Sequence, residues 1–279
     1  MNKLFTAFIF YILPLYQPNI KSQELYTFIL KTNIVINPEY EYLKEFIHNL
    51  PLTFETQGDI IQKRRNIIKS INVDGLKLNI KLFRKPIFIN RIVYSFFRKP
   101  KAYKAYYNAL EVTKRGFHTP KAIAYIELKK ARLLSLSYFI STQIENAREI
   151  REHYFSKANE DKELLAAFAQ YTAELHNAGI LHLDYSPGNI LISENNNQYQ
   201  FSLVDINRMQ FKNVDINKGC ENFCRLFEYD EAIEFMAPIY AKIRNLDSDI
   251  CHQLMLKYKH QFEKKKERKK RMKLFLGKK

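Results

Sequence analysis

Between Asp59 and Phe83 apolar and polar residues alternate at the two-residue period of extended chain. The spacing predicts strands over 59–63, 66–71 and 76–83, with a turn at Asn72-Val73-Asp74-Gly75. In the last strand Leu76, Leu78, Ile80 and Leu82 share one face, leaving Lys77, Asn79 and Lys81 on the other. Two further strands, over 122–127 and 133–141, complete a small antiparallel sheet, with helices over 40–50 and 101–114 beside it. Beyond 142–146 the period changes. Leu164, Leu165, Phe168, Thr172 and Leu175 recur at helical spacing and Gly179 stands at a helix stop. A hairpin over 190–204, its turn at 194–198, is followed by helices over 222–227, 230–244 and 249–264. The pattern is that of an α+β chain with a small sheet-rich lobe (33–143), a larger mainly helical lobe (144–262), an N-terminal extension (1–32) and a C-terminal tail (263–279).

Between the buried helix and the hairpin lies His182-Leu183-Asp184-Tyr185-Ser186-Pro187-Gly188-Asn189-Ile190-Leu191. Phosphoryl transfer to a hydroxyl needs an Asp that accepts the proton and, a few residues on, an Asn that holds a magnesium ion; H-x-D-x-x-x-x-N supplies both. The hairpin ends on Asp205, where such an enzyme keeps its second metal ligand, with Asp205-Ile206-Asn207 in place of the commoner D-F-G. Any one of these residues also reads as a surface turn or a strand-end carboxylate. The ordered set of helix, loop, hairpin and Asp points to a kinase. Asp184 is the expected base, Asn189 and Asp205 the expected magnesium ligands, and His182 a brace for the loop.

A kinase also needs a lysine for the nucleotide phosphates. Lys81, in a run resembling V-A-I-K, takes that place, with Lys77 on the same face as the competing assignment. With seven Gly in the chain there is no G-x-G-x-x-G, so the turn near Arg64-Arg65 has to cover the phosphates by other means. The 101–114 helix carries one acid, Glu111, late in its length. Glu111 pairs with Lys81, or another carboxylate substitutes, or Glu111 is an ordinary exposed acid.

Asn90-Arg91-Ile92-Val93-Tyr94, Phe96-Phe97-Arg98-Lys99, Gly116-Phe117-His118-Thr119-Pro120, the 182–191 loop and Val204-Asp205-Ile206-Asn207-Arg208-Met209 together resemble the bacterial lipopolysaccharide kinases. This is the Kdo kinase and heptose kinase (WaaP/InaA-like) group, particularly its Bacteroidetes-type members, and the resemblance covers most of 34–275. It implies a two-lobed protein-kinase-like fold and ATP-dependent phosphorylation of a sugar hydroxyl, of Kdo or heptose type, in the inner core. It also implies that Lys81 binds nucleotide, Asp184 is the base, and Asn189 and Asp205 hold Mg2+ beside ATP. At the position of the family's helix Glu this chain has Ala105 or Tyr107.

Charge adds a partner class. The net charge is +16, which calls for a polyanion: nucleic acid, anionic lipid, ATP or a phosphorylated glycolipid. From Leu76 to Leu110 basic residues are interleaved with aromatic ones and no Asp or Glu occurs. The tail from Lys264 to Lys279 is strongly basic and includes Met272, Leu274, Phe275 and Leu276. Basic residues beside a small apolar patch suit an anionic membrane surface, and the alternative is a solvated tail without a partner. No nucleic-acid module is recognisable, so no nucleic-acid partner is expected. Three Cys without a C-x-x-C pair suit a reducing compartment, and packing accounts for Cys220 and Cys224 better than zinc.

Residues 4–16 are apolar but interrupted by Pro14 and short for a membrane span. The extension reads as a peripheral membrane-binding helix, a packing extension or the product of an upstream start codon. Export would separate the enzyme from ATP, so the expected place is the cytoplasm, peripheral on the inner face of the inner membrane, as a monomer. No A-P-E element follows Asp205, which favours a small or glycolipid hydroxyl over a protein side chain. Two rival readings stand beside this one: a non-catalytic pseudokinase, and a soluble kinase of the aminoglycoside or choline type.

Overall fold

The computed structural model describes residues 31–155, 161–195 and 198–276. The chain divides into two compact units, one holding residues 31–102 and 123–140 and the other residues 103–122 and 141–276. Of the N-terminal extension only Lys31 and Thr32 lie among the described residues.

The first unit is built on a six-stranded sheet. Its strands are β1 (Lys31–Ile36), β2 (Asp59–Lys63), β3 (Ile67–Val73), β4 (Leu76–Phe83), β5 (Ala122–Lys130) and β6 (Leu133–Thr142). They lie in the order β1-β5-β6-β4-β3-β2, with β1 antiparallel to β5 and β3 antiparallel to both β2 and β4. The β3–β4 hairpin turns on Asp74 and Gly75, both at positive φ (50° and 77°). That is the backbone of a tight primed turn, which suits Asp-Gly and matches the twist of the strands. Helix α1 (Lys44–Thr53) lies on one face of the sheet. Leu43, Ile47, Leu50 and Phe54 form a single stripe at helical spacing and pack on Ile67, Ile71, Leu78, Ile80 and Leu82. Burying each such side chain stabilises the unit by about 1.5–3 kcal/mol.

Lys69 lies on this core face, which its sequence position disguises. Its Nζ donates to the carbonyls of Phe54 (2.6 Å), Glu55 (3.0 Å) and Gln57 (2.8 Å), which lie just past the C-terminus of α1. The cation thus satisfies acceptors at the negative end of the helix dipole. Between β4 and the next helix the chain forms a short helix, α2 (Phe88–Ile92), running into one wide π-type turn over Val93–Phe97. The two-residue and 3.6-residue periods missed this segment, because its large apolar residues face outward.

The second unit opens within α3 (Lys101–Lys114) and continues through β7 (Arg148–Glu149), α4 (Lys162–Asn177), β8 (Ile180–His182), β9 (Ile190–Asn195), β10 (Gln198–Leu203) and β11 (Met209–Phe211). It ends with α5 (Ile216–Glu221), α6 (Asp230–Ile243) and α7 (Ser248–Phe275). Helix α4 buries Leu164, Leu165, Phe168, Thr172 and Leu175, the residues whose spacing predicted it, and Gly179 follows it at φ 71°. A left-handed residue just past a helix end favours glycine.

Three expectations are corrected. The 222–227 stretch is a single 3-10 turn, Asn222–Arg225, following α5. Glu194, Asn195 and Gln198, expected in a turn, belong to the strands, since β9 extends to Asn195 and β10 begins at Gln198. The last helix runs to Phe275, well past 264. Lys, Arg, Glu, Met and Leu are good helix formers and no Gly or Pro interrupts them, so local propensity carries the helix through the basic run.

Candidate active site

Helix α4 and strand β8 deliver the 182–189 loop, and the loop is held from several sides within the second unit. His182 is fully buried. Its Nε2–H donates to the Val204 carbonyl (3.1 Å) and its Nδ1 accepts the backbone N–H of Asp184 (3.0 Å). Burial pushes the imidazole pKa below its ordinary value, while the Val204 bond and the nearby Asp205 and Asp184 carboxylates oppose that shift. A neutral ring with one donor and one acceptor is what the two bonds require. Tyr185 anchors the loop to α4 through a hydroxyl contact with Thr172 (2.9 Å).

The expected catalytic residues of this unit come together around that histidine. Asn189 donates its side-chain amide to the Asp184 carbonyl (2.8 Å), which turns the amide oxygen away as a potential ligand. The Asn189 carbonyl in turn accepts the backbone N–H of Val204 (3.0 Å), so the loop is stitched to the residue preceding Asp205. Asp205 has φ 53°, a left-handed backbone uncommon outside glycine that Asp and Asn tolerate best. Its carboxylate accepts from Asn207 Nδ2.

Neighbouring segments fix this bend. Asn108 of α3 donates to the Ile206 carbonyl (2.6 Å). Thr119 donates to the Leu203 carbonyl (2.7 Å), and the His118 carbonyl accepts from the Leu203 N–H (3.0 Å). The 116–120 run therefore braces the strand that ends at Asp205.

Two arginines meet the Asp184 carboxylate. Arg225 Nη1 lies 2.8 Å from one oxygen and Arg208 Nη1 3.4 Å from the other. Arg208 is the more exposed of the two, so its ion pair contributes little. Arg225 went unnoticed in the sequence. It lies 41 residues from Asp184, in a stretch read as helix that no motif links to the 182–189 loop. Asn222 was likewise hidden: its Nδ2 donates to the His182 carbonyl (3.1 Å), and its Oδ1 faces His176 Nε2 (3.2 Å). Gly188 leaves room for Arg151, whose Nη2 would come within 1.9 Å of any Cβ there.

Asn189 and Asp205 offer hard oxygen donors, a set that fits a magnesium ion shared with phosphate oxygens. Among the described residues no cluster of three or more His, Cys, Asp or Glu that could hold a metal ion is found.

Lys81 belongs to the first unit. It is half-buried on β4, on the face opposite the Leu78–Ile80–Leu82 side, with its Nζ 5.5 Å from the centre of the Phe83 ring. Lys77 is exposed. Glu111 forms a two-nitrogen ion pair with Arg115 (2.7 Å to each), and Arg115 also donates to the Ala178 carbonyl (2.6 Å). This acid therefore helps tie α3 to the end of α4.

The model of the lipopolysaccharide kinase (Kdo/WaaP) family matches residues 59–243. Among solved structures, WaaP in complex with acyl carrier protein aligns with a TM-score of 0.58 at 14% identity, over 83% of this chain and 98% of that one. A double mutant of the PknI kinase domain of Mycobacterium tuberculosis aligns at 13% identity and TM-score 0.37, over 68% of this chain and 74% of that one. A MAP kinase of Leishmania major aligns at 14% identity and TM-score 0.40, over 73% of this chain and 60% of that one. No curated protein sequence matches. The fold is kinase-like, a mixture of antiparallel sheet and helices, and the chain belongs to the lipopolysaccharide kinase (Kdo/WaaP) family of ATP-dependent kinases.

Proposed function

We propose that the protein transfers the γ-phosphoryl group of ATP to a sugar hydroxyl, of Kdo or heptose type, in the lipopolysaccharide inner core. The observation that carries this reading is the knot around His182, which brings Asp184, Asn189 and the turn at Asp205 into one hydrogen-bonded group. Asp184, oriented by Arg225 and by its backbone bond to His182, takes the proton of the attacking hydroxyl. Asn189 and Asp205 would hold Mg2+, which supplies charge neutralisation at the phosphate oxygens. Lys81 binds the nucleotide phosphates.

The exposed C-terminal part of α7 places Lys264, Lys265, Lys266, Arg268, Lys269, Lys270, Arg271 and Lys273 against one acid, Glu267. Met272, Leu274, Phe275 and Leu276 are exposed among them. A helix of this composition suits the anionic headgroups on the cytoplasmic face of a membrane, where a lipid-linked acceptor would be met. Among the described residues no helix is long and apolar enough to cross a membrane. A monomer peripheral on that face is the arrangement we infer. The carrier protein in the WaaP complex makes an acyl carrier protein a partner worth testing by co-purification.

The deciding experiment incubates the protein with Mg2+, labelled ATP and dephosphorylated lipid A-core glycolipid, beside Asp184→Asn. Label should enter the sugar with wild type and fall at least about 1,000-fold in the variant. Equal transfer by both proteins would remove Asp184 as the base. ATP binding without transfer to any acceptor would support a pseudokinase, and preferential transfer to a water-soluble amino-alcohol would support the small-molecule reading.

A further inference from the structure

The segment joining β4 to α3 presents Ile87, Phe88, Ile89, Phe96 and Phe97 to solvent, each 62–80% exposed. Five large apolar side chains within eleven positions are far more than the scattered singles of an ordinary surface. Cations close both ends of the run, Arg84 and Lys85 before it and Arg98 and Lys99 after it, with Arg91 in the middle and no carboxylate from Leu76 to Leu110. The outward orientation is not a slipped core. Arg91 Nε donates to the Leu134 carbonyl (2.9 Å), and Ser95 Oγ accepts the Leu134 N–H (2.9 Å) while donating to the Arg91 carbonyl (2.6 Å). The polar residues thus pin the segment to β6, and the apolar ones are held away from it. Beneath the segment lies a cavity of about 200 Å3 whose lining includes four cations, Arg65, Arg84, Lys85 and Lys101, together with Ile87 and Tyr94.

We propose that residues 84–99 insert into an anionic bilayer. Ile87, Phe88, Ile89, Phe96 and Phe97 enter the acyl boundary, the flanking Lys and Arg meet headgroup phosphates, and the cavity takes one phosphate at the root of the segment. The chemistry is that of an interfacial element: apolar side chains for depth, cations for the charged surface, and a backbone already folded so that little ordering is needed on binding. The absence of any acid in the segment favours a phospholipid surface over a protein of mixed charge. This contact belongs to the first unit and is separate in sequence from the basic part of α7.

The chain contains no tryptophan, so Phe97→Trp supplies a single reporter, and Phe155→Trp, at an exposed position in the second unit, supplies the control. Vesicles of phosphatidylethanolamine with phosphatidylglycerol should shift Phe97→Trp emission to the blue, and brominated acyl chains should quench it, while Phe155→Trp stays unchanged. Phosphatidylethanolamine alone should give a weak response. Replacing Arg84 and Lys85 together by Gln should weaken vesicle binding roughly tenfold or more, with the circular dichroism spectrum retained. An unaltered Phe97→Trp spectrum on anionic vesicles overturns the proposal. So does a blue shift that rises with protein concentration without lipid, which would mean that a second copy covers the segment. If the double Gln variant binds vesicles normally but loses ATP affinity, the cavity serves the nucleotide and its assignment to lipid fails.

Discussion

Lowering the pH should loosen the second unit through His176, a fully buried histidine on α4. Its Nδ1 lies 2.8 Å from Tyr240 Oη, which also receives Arg244 Nη1 at 2.7 Å. The hydroxyl thus accepts from the arginine and donates its proton to Nδ1, while Nε2–H faces Asn222. A second ring proton would point at a donor. Desolvation by burial, with Arg244 adding to it and the Asn222 bond opposing it, lowers the imidazole pKa from 6.5 to about 3. The unfolded chain therefore takes up a proton that the folded protein refuses. Stability is complete above pH 6.5 and is lost progressively as the pH falls toward 3. At about 1.36 kcal/mol per pH interval the loss between pH 7 and pH 5 is about 2 kcal/mol from this residue. The assay is urea unfolding at pH 7, 6 and 5 for wild type and His176→Gln, which does not titrate. The variant should start less stable but lose about 2 kcal/mol less over the interval. Buried Glu127, whose carboxyl is raised by desolvation and so acts with the opposite sign, is common to both proteins and cancels. Parallel pH dependences in the two proteins would refute the reasoning.

Gly219→Ala should destabilise although alanine is the better helix former by about 1 kcal/mol. Its Cβ would lie 2.1 Å from Tyr240 Oη and 2.8 Å from Arg244 Nη1, so a net loss of about 1–3 kcal/mol in chemical denaturation is expected, and a gain would contradict the packing described. Lys69→Met fills the same volume but leaves the Phe54, Glu55 and Gln57 carbonyls without their donor. A loss of about 3 kcal/mol should appear as an earlier transition in thermal melting. Asn189→Ala should lower kcat more than 100-fold and raise the Mg2+ concentration needed for half-maximal activity. An unchanged Mg2+ requirement would remove Asn189 as a ligand.

The parts of the site readable from the chain are those whose partners lie close in sequence. Asp184 and Asn189 are spaced by one loop, and the 182–189 loop follows a helix whose buried stripe is periodic, so motif and period agree. The alternating β4 face likewise separates Lys81 from Leu82 without any knowledge of the sheet. Residues acting across long separations left no such trace. Arg225 meets Asp184, Asn222 joins His176 to the His182 carbonyl, and Asn108 holds Ile206 only because distant segments converge. Lys69 reads as an exposed strand lysine until α1 brings three carbonyls over it.

Sequence alone determined the H-x-D-x-x-x-x-N motif of the 182–189 loop, the family resemblance and most elements of regular period, because backbone geometry imposes those periods locally. Tertiary structure decided that Ile87–Ile89 and Phe96–Phe97 face solvent, where apolar character by itself predicts burial. It also decided that the left-handed turn at Asp205 is held from α3 and from the 116–120 run. Hydrophobicity sets the tendency to be buried, but the finite area of one sheet face sets how many side chains the core accepts. Hydrogen bonds between Leu134 and the Arg91 and Ser95 side chains, the first donating and the second accepting, choose the side on which the remainder stand, and no period announces them.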